Sequence, residues 1–418
     1  MKTGTAGCGL KYAVRSSGGL SAFCSLTVKA GTAYEGALPA GTAHFLEHTI
    51  FKGTARRSAV RINSRLDLLG GELNAYTTKE EIVLHATVLR EDLPTAVDLL
   101  LELATSATFP QKELDVERGV VIDEIHSCKD SPADDVYDNF EEMLFSAHPL
   151  GRRILGTPSS VRKIRRNELL GYLRERFVPE RMALAVVTGG DEAKAEAMVL
   201  RLCSKYFPAA LSPEVPGGAD AGQAATELPP FTPAAPFCRT VDKRNHEVNV
   251  VLGATAPSLY SGKDRITAAV LSGILGGPGA NSLLNAYLRE KKGWVYGVEC
   301  SYTQYSVSGI MAVSLGCEKE NLESCLAAVH RIISGLCEKP MSERKMAQAR
   351  KQLLGQFGIA SDNAESQCLS MGKSMLAFGR VASDEETRAA VESVSAADIL
   401  DMAVRVLTPD RLSTLVYL

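Results

Sequence analysis

One order of elements occurs twice in this 418-residue chain, about 230 residues apart, and it limits the possible folds more than any other feature. In the first half, the apolar run Ile82–Leu89 (IVLHATVL) reads as a strand. Residues 92–105 (DLPTAVDLLLELAT) follow, with apolar residues at helical spacing and Asp92 suited to the N-cap. Phe109-Pro110 breaks that helix, and another begins near Lys112. In the second half, residues 309–315 (GIMAVSL) read as a strand and 321–334 (NLESCLAAVHRIIS) as a helix. Lys339-Pro340 then breaks the pattern, and a helix starts at Met341. An internal duplication accounts for this recurrence. Between the copies, residues 209–236 (AALSPEVPGGADAGQAATELPPFTPAAP) have no hydrophobic period and read as a Pro/Ala/Gly-rich linker. The expected domains are therefore 1–208 and 237–418. The strands are short or alternating and interleave unevenly with helices. An α+β fold follows, in which each half is a largely antiparallel sheet with helices packed on one face.

Charge and hydropathy narrow the function classes. Lys plus Arg number 46 and Asp plus Glu 49, a net charge of −3, so no basic field suggests nucleic acid as a partner. No run approaches the ~18 apolar residues of a membrane span, and no membrane association is expected. Residues 1–10 (MKTGTAGCGL) lack the apolar core of a secretory signal. Ten cysteines include no C-x-x-C pair, and several, such as Cys24 and Cys325, sit in apolar segments. They read as buried free thiols in a reducing compartment, with the cytoplasm as the expected location.

The chemistry concentrates in residues 41–54, GTAHFLEHTIFKGT. On a helix, His44 and His48 stand one turn apart and project from one face, so two imidazoles can share one Zn²⁺. Glu47 projects close to that face without being needed as a ligand, placed to take a proton from water. The H-x-x-E-H pattern is a zinc peptidase signature, the inverse of H-E-x-x-H. A catalytic zinc needs a third protein ligand. Residues 117–125, ERGVVIDEI, offer Glu117 and Glu124, two helical turns apart on one face. Asp123 and His126 point to other faces of a regular helix. Spacing alone does not choose between Glu117 and Glu124.

With these motifs in order, the chain resembles the pitrilysin or insulinase family of zinc peptidases, which includes the mitochondrial processing peptidases. GTAHFLEHTIFKGT, GGELNAYTTKEE (70–81) and ERGVVIDEI all match the family pattern at the right distances. The resemblance implies Glu124 as the third ligand, with Glu117 as a supporting carboxylate. It also implies that Asn74 and Ala75 lie on a strand edge that pairs with bound peptide, a form of β-augmentation. In residues 271–296, LSGILGGPGANSLLNAYLREKKGWVY, it assigns Arg289 and Tyr296 to substrate and the reacting carbonyl. The segment Gly279-Ala280-Asn281-Ser282-Leu283 departs from the Ser-Ser-Arg-type stretch the family often carries there. Positions 230 residues after the ligands fall near Ile274, Pro278 and Leu354, none of which binds metal. The second half is thus expected to hold substrate rather than zinc.

The implied function is a zinc-dependent endopeptidase that hydrolyses unfolded peptides with metal-activated water, inside a clamshell formed by two chains. The partner would be a second copy or a related chain. The alternative is a non-catalytic or partner-dependent peptide-binding subunit of a processing complex. Such subunits typically lose the zinc ligands, which are intact here.

Overall fold

The computed structural model describes residues 1–208 and 227–418. Eleven strands form two sheets among these residues. The first comprises β1 (Lys2–Thr5), β2 (Lys11–Ser16), β3 (Ser21–Val28), β4 (Glu72–Thr77), β5 (Ile82–Leu89) and β6 (Met182–Thr188), in the order β1-β2-β6-β3-β5-β4. The second comprises β7 (Cys238–Val241), β8 (Val248–Ala256), β9 (Val295–Gln304), β10 (Gly309–Cys317) and β11 (Ser413–Tyr417), in the order β7-β11-β8-β10-β9.

Without β1, the two orders are the same. Each sheet has one parallel pair, β2 with β6 and β7 with β11, at the same place in the order. Every other pair is antiparallel. The largely antiparallel architecture and the repetition read from the sequence are both present. β5 and β10 are the two expected strands, followed by helices Leu93–Ser106 and Leu322–Glu338. Asp92 caps nothing: Arg90–Asp92 form a 3₁₀ turn directly before the helix, and its side chain makes no capping bond.

The expected domain boundaries need correction. Met1–Ile125, 152–208 and Ile359–Ala382 form one compact unit, while His126–Gly151, 227–358 and Ser383–Leu418 form the other. Each half of the sequence thus lends one helix to the other half's sheet. Helix Pro132–Phe145 packs against β8 and β11, and helix Ala364–Phe378 packs against β2, β3 and β6. The reason is which sheet face needs covering. β6 is buried along its whole length, so it needs apolar partners on both sides. Met182, Leu184 and Val186 face the main core, with the helical layer on that side. Ala183, Ala185 and Val187 face Cys368, Met371 and Met375 of the borrowed helix.

Of the expected linker, positions 209–226 lie outside the described residues. Residues 227–236 have neither helix nor strand but are not a free spacer. Leu228 is buried, and Phe231 packs edge-on against Phe145 at 5.0 Å.

The borrowed Ala364–Phe378 helix approaches β3 through Gly372. A Cβ there would lie 2.6 Å from Thr27 Oγ1 and 3.1 Å from Ser25 Oγ, both on buried strand residues that cannot swing aside. Gly372→Val is therefore expected to destabilise this unit by about 1–3 kcal/mol. A denaturant midpoint unchanged from wild type would show that the helix can lift without cost.

Candidate metal centre

The helix Thr42–Ile50 carries His44, Glu47 and His48, and its start is held without a side-chain cap of its own. Gly41 takes the N-cap position with φ +89°, and a Cβ there would sit 2.7 Å from the carbonyl oxygen of Leu155. The buried carboxylate of Glu35 accepts a hydrogen bond from the Ala43 amide at 2.9 Å, and Arg152 lies 3.4 Å from its other oxygen. A carboxylate eight residues upstream thus meets the positive end of the helix. Burial pushes the Glu35 carboxyl up to about 7, while the Ala43 amide and Arg152 oppose the rise. Phe45, Leu46 and Ile50 anchor the opposite face in the core.

The helix Gln111–Lys129 brings the carboxylates. Leu114, Val121 and Ile125 form its buried stripe, and Glu117 lies buried along the same stripe. The turn into this helix is held by Arg166, which donates from Nε to the Thr108 carbonyl at 3.1 Å and the Phe109 carbonyl at 3.0 Å. That anchor sustains Phe109 at φ +48°, an unfavourable conformation for an aromatic residue. Arg118 secures the helix further by donating to the Ile164 carbonyl at 3.1 Å, with its guanidinium over the Phe45 ring.

These helices bring His44, His48 and Glu124 together, with one ligand atom from each lying within 4.8 Å of the others. Glu124 Oε2 stands 3.3 Å from His48 Nε2 and 3.7 Å from His44 Nε2. Tetrahedral zinc with bonds near 2.0–2.1 Å separates its ligand atoms by about 3.3–3.5 Å, so this spacing suits it. Glu124 Oε2 is buried and accepts no hydrogen bond of good geometry. A buried acceptor aimed at two imidazole nitrogens fits a cation between them. No other group of three such side chains among the described residues could hold a metal.

Glu117 does different work. Its Oε1 is 3.0 Å from His48 Nδ1, and its Oε2 is 2.6 Å from Lys52 Nζ. A carboxylate on Nδ1 fixes the tautomer in which Nε2 offers its lone pair to a metal. Of the two carboxylates between which spacing did not choose, Glu124 faces both rings and Glu117 stands behind one of them. Glu47 Oε2 lies 3.9 Å from His44 Nε2 and accepts a hydrogen bond from Thr77 Oγ1 at 3.2 Å.

The electrostatics follow from burial and crowding. Burial raises the Glu47 carboxyl above the ordinary carboxylate range. Burial, with His48 beside it, lowers the His44 imidazole. For His48, burial opposes the charge, but contacts with Glu124 and Glu117 outweigh it and lift the imidazole to about 9. A cation bound there would compete with a proton for His48.

Asn74 and Ala75 lie in the middle of β4, which ends the first sheet. Among the described residues no strand pairs with its outer edge. Asn74 is exposed opposite His85, and Thr77, on the face shared with Ala75, reaches Glu47. Arg289 and Tyr296 belong to the second unit. Arg289 is exposed in the π-helix Asn285–Lys291; Tyr296 lies on β9, 57% exposed, and donates to Glu318. At the positions matching the ligands, Ile274 is buried in helix Lys263–Gly276 and Leu354 packs against the second core.

Sequence reasoning missed Lys52, Thr77 and Glu35. Lys52 is one turn beyond His48, and Thr77 is two residues past Ala75 on the same strand face, so both followed from periodicities already in use. Glu35 lies outside the helix it caps and left no such trace.

Two family profiles match the chain. Residues 12–158 match the one described as Insulinase (Peptidase family M16), and residues 163–353 match Peptidase M16 inactive domain. An uncharacterized zinc protease of Mycobacterium tuberculosis is 31% identical over 388 residues, covering 93% of this chain and 86% of that protein. The mitochondrial-processing peptidase subunit beta of Bos taurus is 27% identical, over 95% of this chain and 80% of its own length. Among solved structures, a peptidase M16 inactive domain from Pseudomonas fluorescens superposes with a TM-score of 0.88 at 18% identity, covering 100% of this chain and 97% of that one. A protease from Helicobacter pylori gives 0.85 at 17%, covering 100% and 98%. At those identities the likeness shows the fold.

Proposed function

Because the chain belongs to the M16 (insulinase) family of peptidases, we propose that it is a zinc-dependent endopeptidase acting on unfolded peptides. The observation that carries this reading is the convergence of His44, His48 and Glu124 within 4.8 Å, with Glu47 beside them. His44, His48 and Glu124 would hold the zinc, and Glu117 orients His48. Bound zinc supplies Lewis acidity, which makes water acidic near neutral pH and polarises a peptide carbonyl. Glu47 takes the proton of the attacking water as its oxygen bonds to the carbonyl carbon. It returns that proton to the amide nitrogen as the C–N bond breaks, and the second proton of the water follows, leaving a carboxylate and an ammonium. The Thr77 hydroxyl keeps Glu47 turned toward the site. The free edge of β4, through Asn74 and Ala75, pairs with the extended peptide and draws it past Glu47.

The working assembly we propose is a pair of chains, two copies or this chain with a relative, closing around the peptide. Arg289 and Tyr296 serve there as donors to substrate and the reacting carbonyl oxygen. No helix among the described residues is long and apolar enough to cross a membrane, and we place the enzyme in the cytoplasm.

The reading is tested with an unstructured peptide mixture analysed by mass spectrometry. Zinc-loaded protein is expected to cut it, and chelation followed by zinc addition to remove and restore the cuts. Zinc-loaded protein that cuts nothing on its own but does so with a related chain would assign the activity to a heterodimer. Failure to bind zinc would favour the peptide-binding subunit instead.

A further inference from the structure

A cavity of about 390 Å³ opens beside the metal centre within the first unit, with Glu47 and His48 on one side. Its size is that of a pocket for a small ligand or one side chain with its backbone. Phe51 and Leu73 supply apolar wall. Asn63 and Asp67 line it from the helix Ala59–Asp67, where they stand one turn apart on the same face.

The charges lining the cavity do not cancel. Lys52 and Glu117 also line it, but they neutralise each other across 2.6 Å. Glu47 and His48 belong to the catalytic centre. Asp67 makes no ion pair or side-chain hydrogen bond among the described residues, and neither does the Asn63 amide. The pocket thus offers the apolar wall of Phe51 and Leu73 together with one exposed carboxylate and one exposed amide that no other described protein group engages. A long aliphatic stem ending in a cation matches that combination, with the stem along Phe51 and Leu73 and the head at Asp67.

We propose that this pocket receives the side chain of a residue flanking the scissile bond, and that Asp67 with Asn63 makes it selective for Lys or Arg. The assignment rests on the peptidase reading of the neighbouring centre and adds the class of residue at which the enzyme cuts.

The test uses the full zinc-loaded chain and one unstructured peptide in which the residues on each side of the cut are varied in turn among Lys, Arg, Ala and Glu. Wild type should favour Lys or Arg over Ala in kcat/KM on one side of the bond by about two- to fivefold, with Glu below Ala. Asp67 is exposed, so Asp67→Asn keeps the fold, and it should bring the basic-to-Ala ratio close to one. Asp67→Lys should invert the order in favour of Glu. Bound zinc is measured in each variant and should be unchanged. A wild-type ratio near one on both sides, or a basic preference that survives in Asp67→Asn, overturns the pocket assignment while leaving the peptidase reading intact. Zinc-loaded wild type that cleaves none of the peptides, either alone or together with a related chain, overturns both.

Discussion

Glu47→Gln is expected to lower peptide turnover by at least about 10²–10⁴-fold, the usual contribution of a positioned acid–base group, while zinc remains bound. The substitution keeps the shape and the Thr77 contact, since the amide oxygen can accept the bond that Glu47 Oε2 now accepts at 3.2 Å. What it removes is the ability to take a proton from water and pass it to the leaving nitrogen. Glu47 suits that task by position: it lies 3.9 Å from His44 Nε2, is held by Thr77, and has its carboxyl raised by burial. Single-turnover cleavage, with zinc content measured on the same sample, separates the two properties. A zinc-replete Gln variant retaining more than about a tenth of the wild-type rate would remove Glu47 from the role of base.

Glu124→Ala is expected to strip the metal, and with it all measurable hydrolysis. His44 and His48 alone are one ligand short of a protein-held catalytic zinc. The contrast with Glu117→Gln makes the prediction specific. Glu117 supports His48 through Nδ1 at 3.0 Å, and losing such a partner typically weakens metal affinity about 10–100-fold without abolishing it. Titration against a chromophoric chelator gives both affinities directly. Equal losses in the two variants would contradict the division of labour between the carboxylates.

Much of this centre was legible before any coordinates. The H-x-x-E-H spacing fixes His44, Glu47 and His48 because a helix has only one way to present them. The third ligand was half legible: seven residues put Glu117 and Glu124 on one helix face, but which of them meets the rings depends on how two helices cross. The likeness of the two halves was legible through the repeated strand, helix, break and helix, but the order of strands within each sheet was not. The domain boundaries were not, because a break in hydrophobic pattern marks where a chain is irregular, not which sheet a helix covers. Val136 and Phe140 give helix Pro132–Phe145 an apolar face that any sheet could bury, and nothing in that stretch names β8 and β11. The Asp67 pocket was invisible for a related reason. A lone Asp at the end of an exposed helix looks like solvated surface until a cavity beside Glu47 and His48 opens onto it.

The borrowed helices also bear on how the protein can be made. When a ribosome has delivered residues 1–208, every strand of the first sheet and all three expected ligands have emerged, but the back of β2, β3 and β6 is bare. Its cover, helix Ala364–Phe378, is translated more than 150 residues later. The nascent first unit therefore waits with an apolar sheet face open to solvent, the kind of surface that chaperones bind and that seeds aggregation. Its completion is tied to synthesis of nearly the whole polypeptide. Splitting the gene at the 209–236 segment would yield two fragments, each lacking a helix that the other holds.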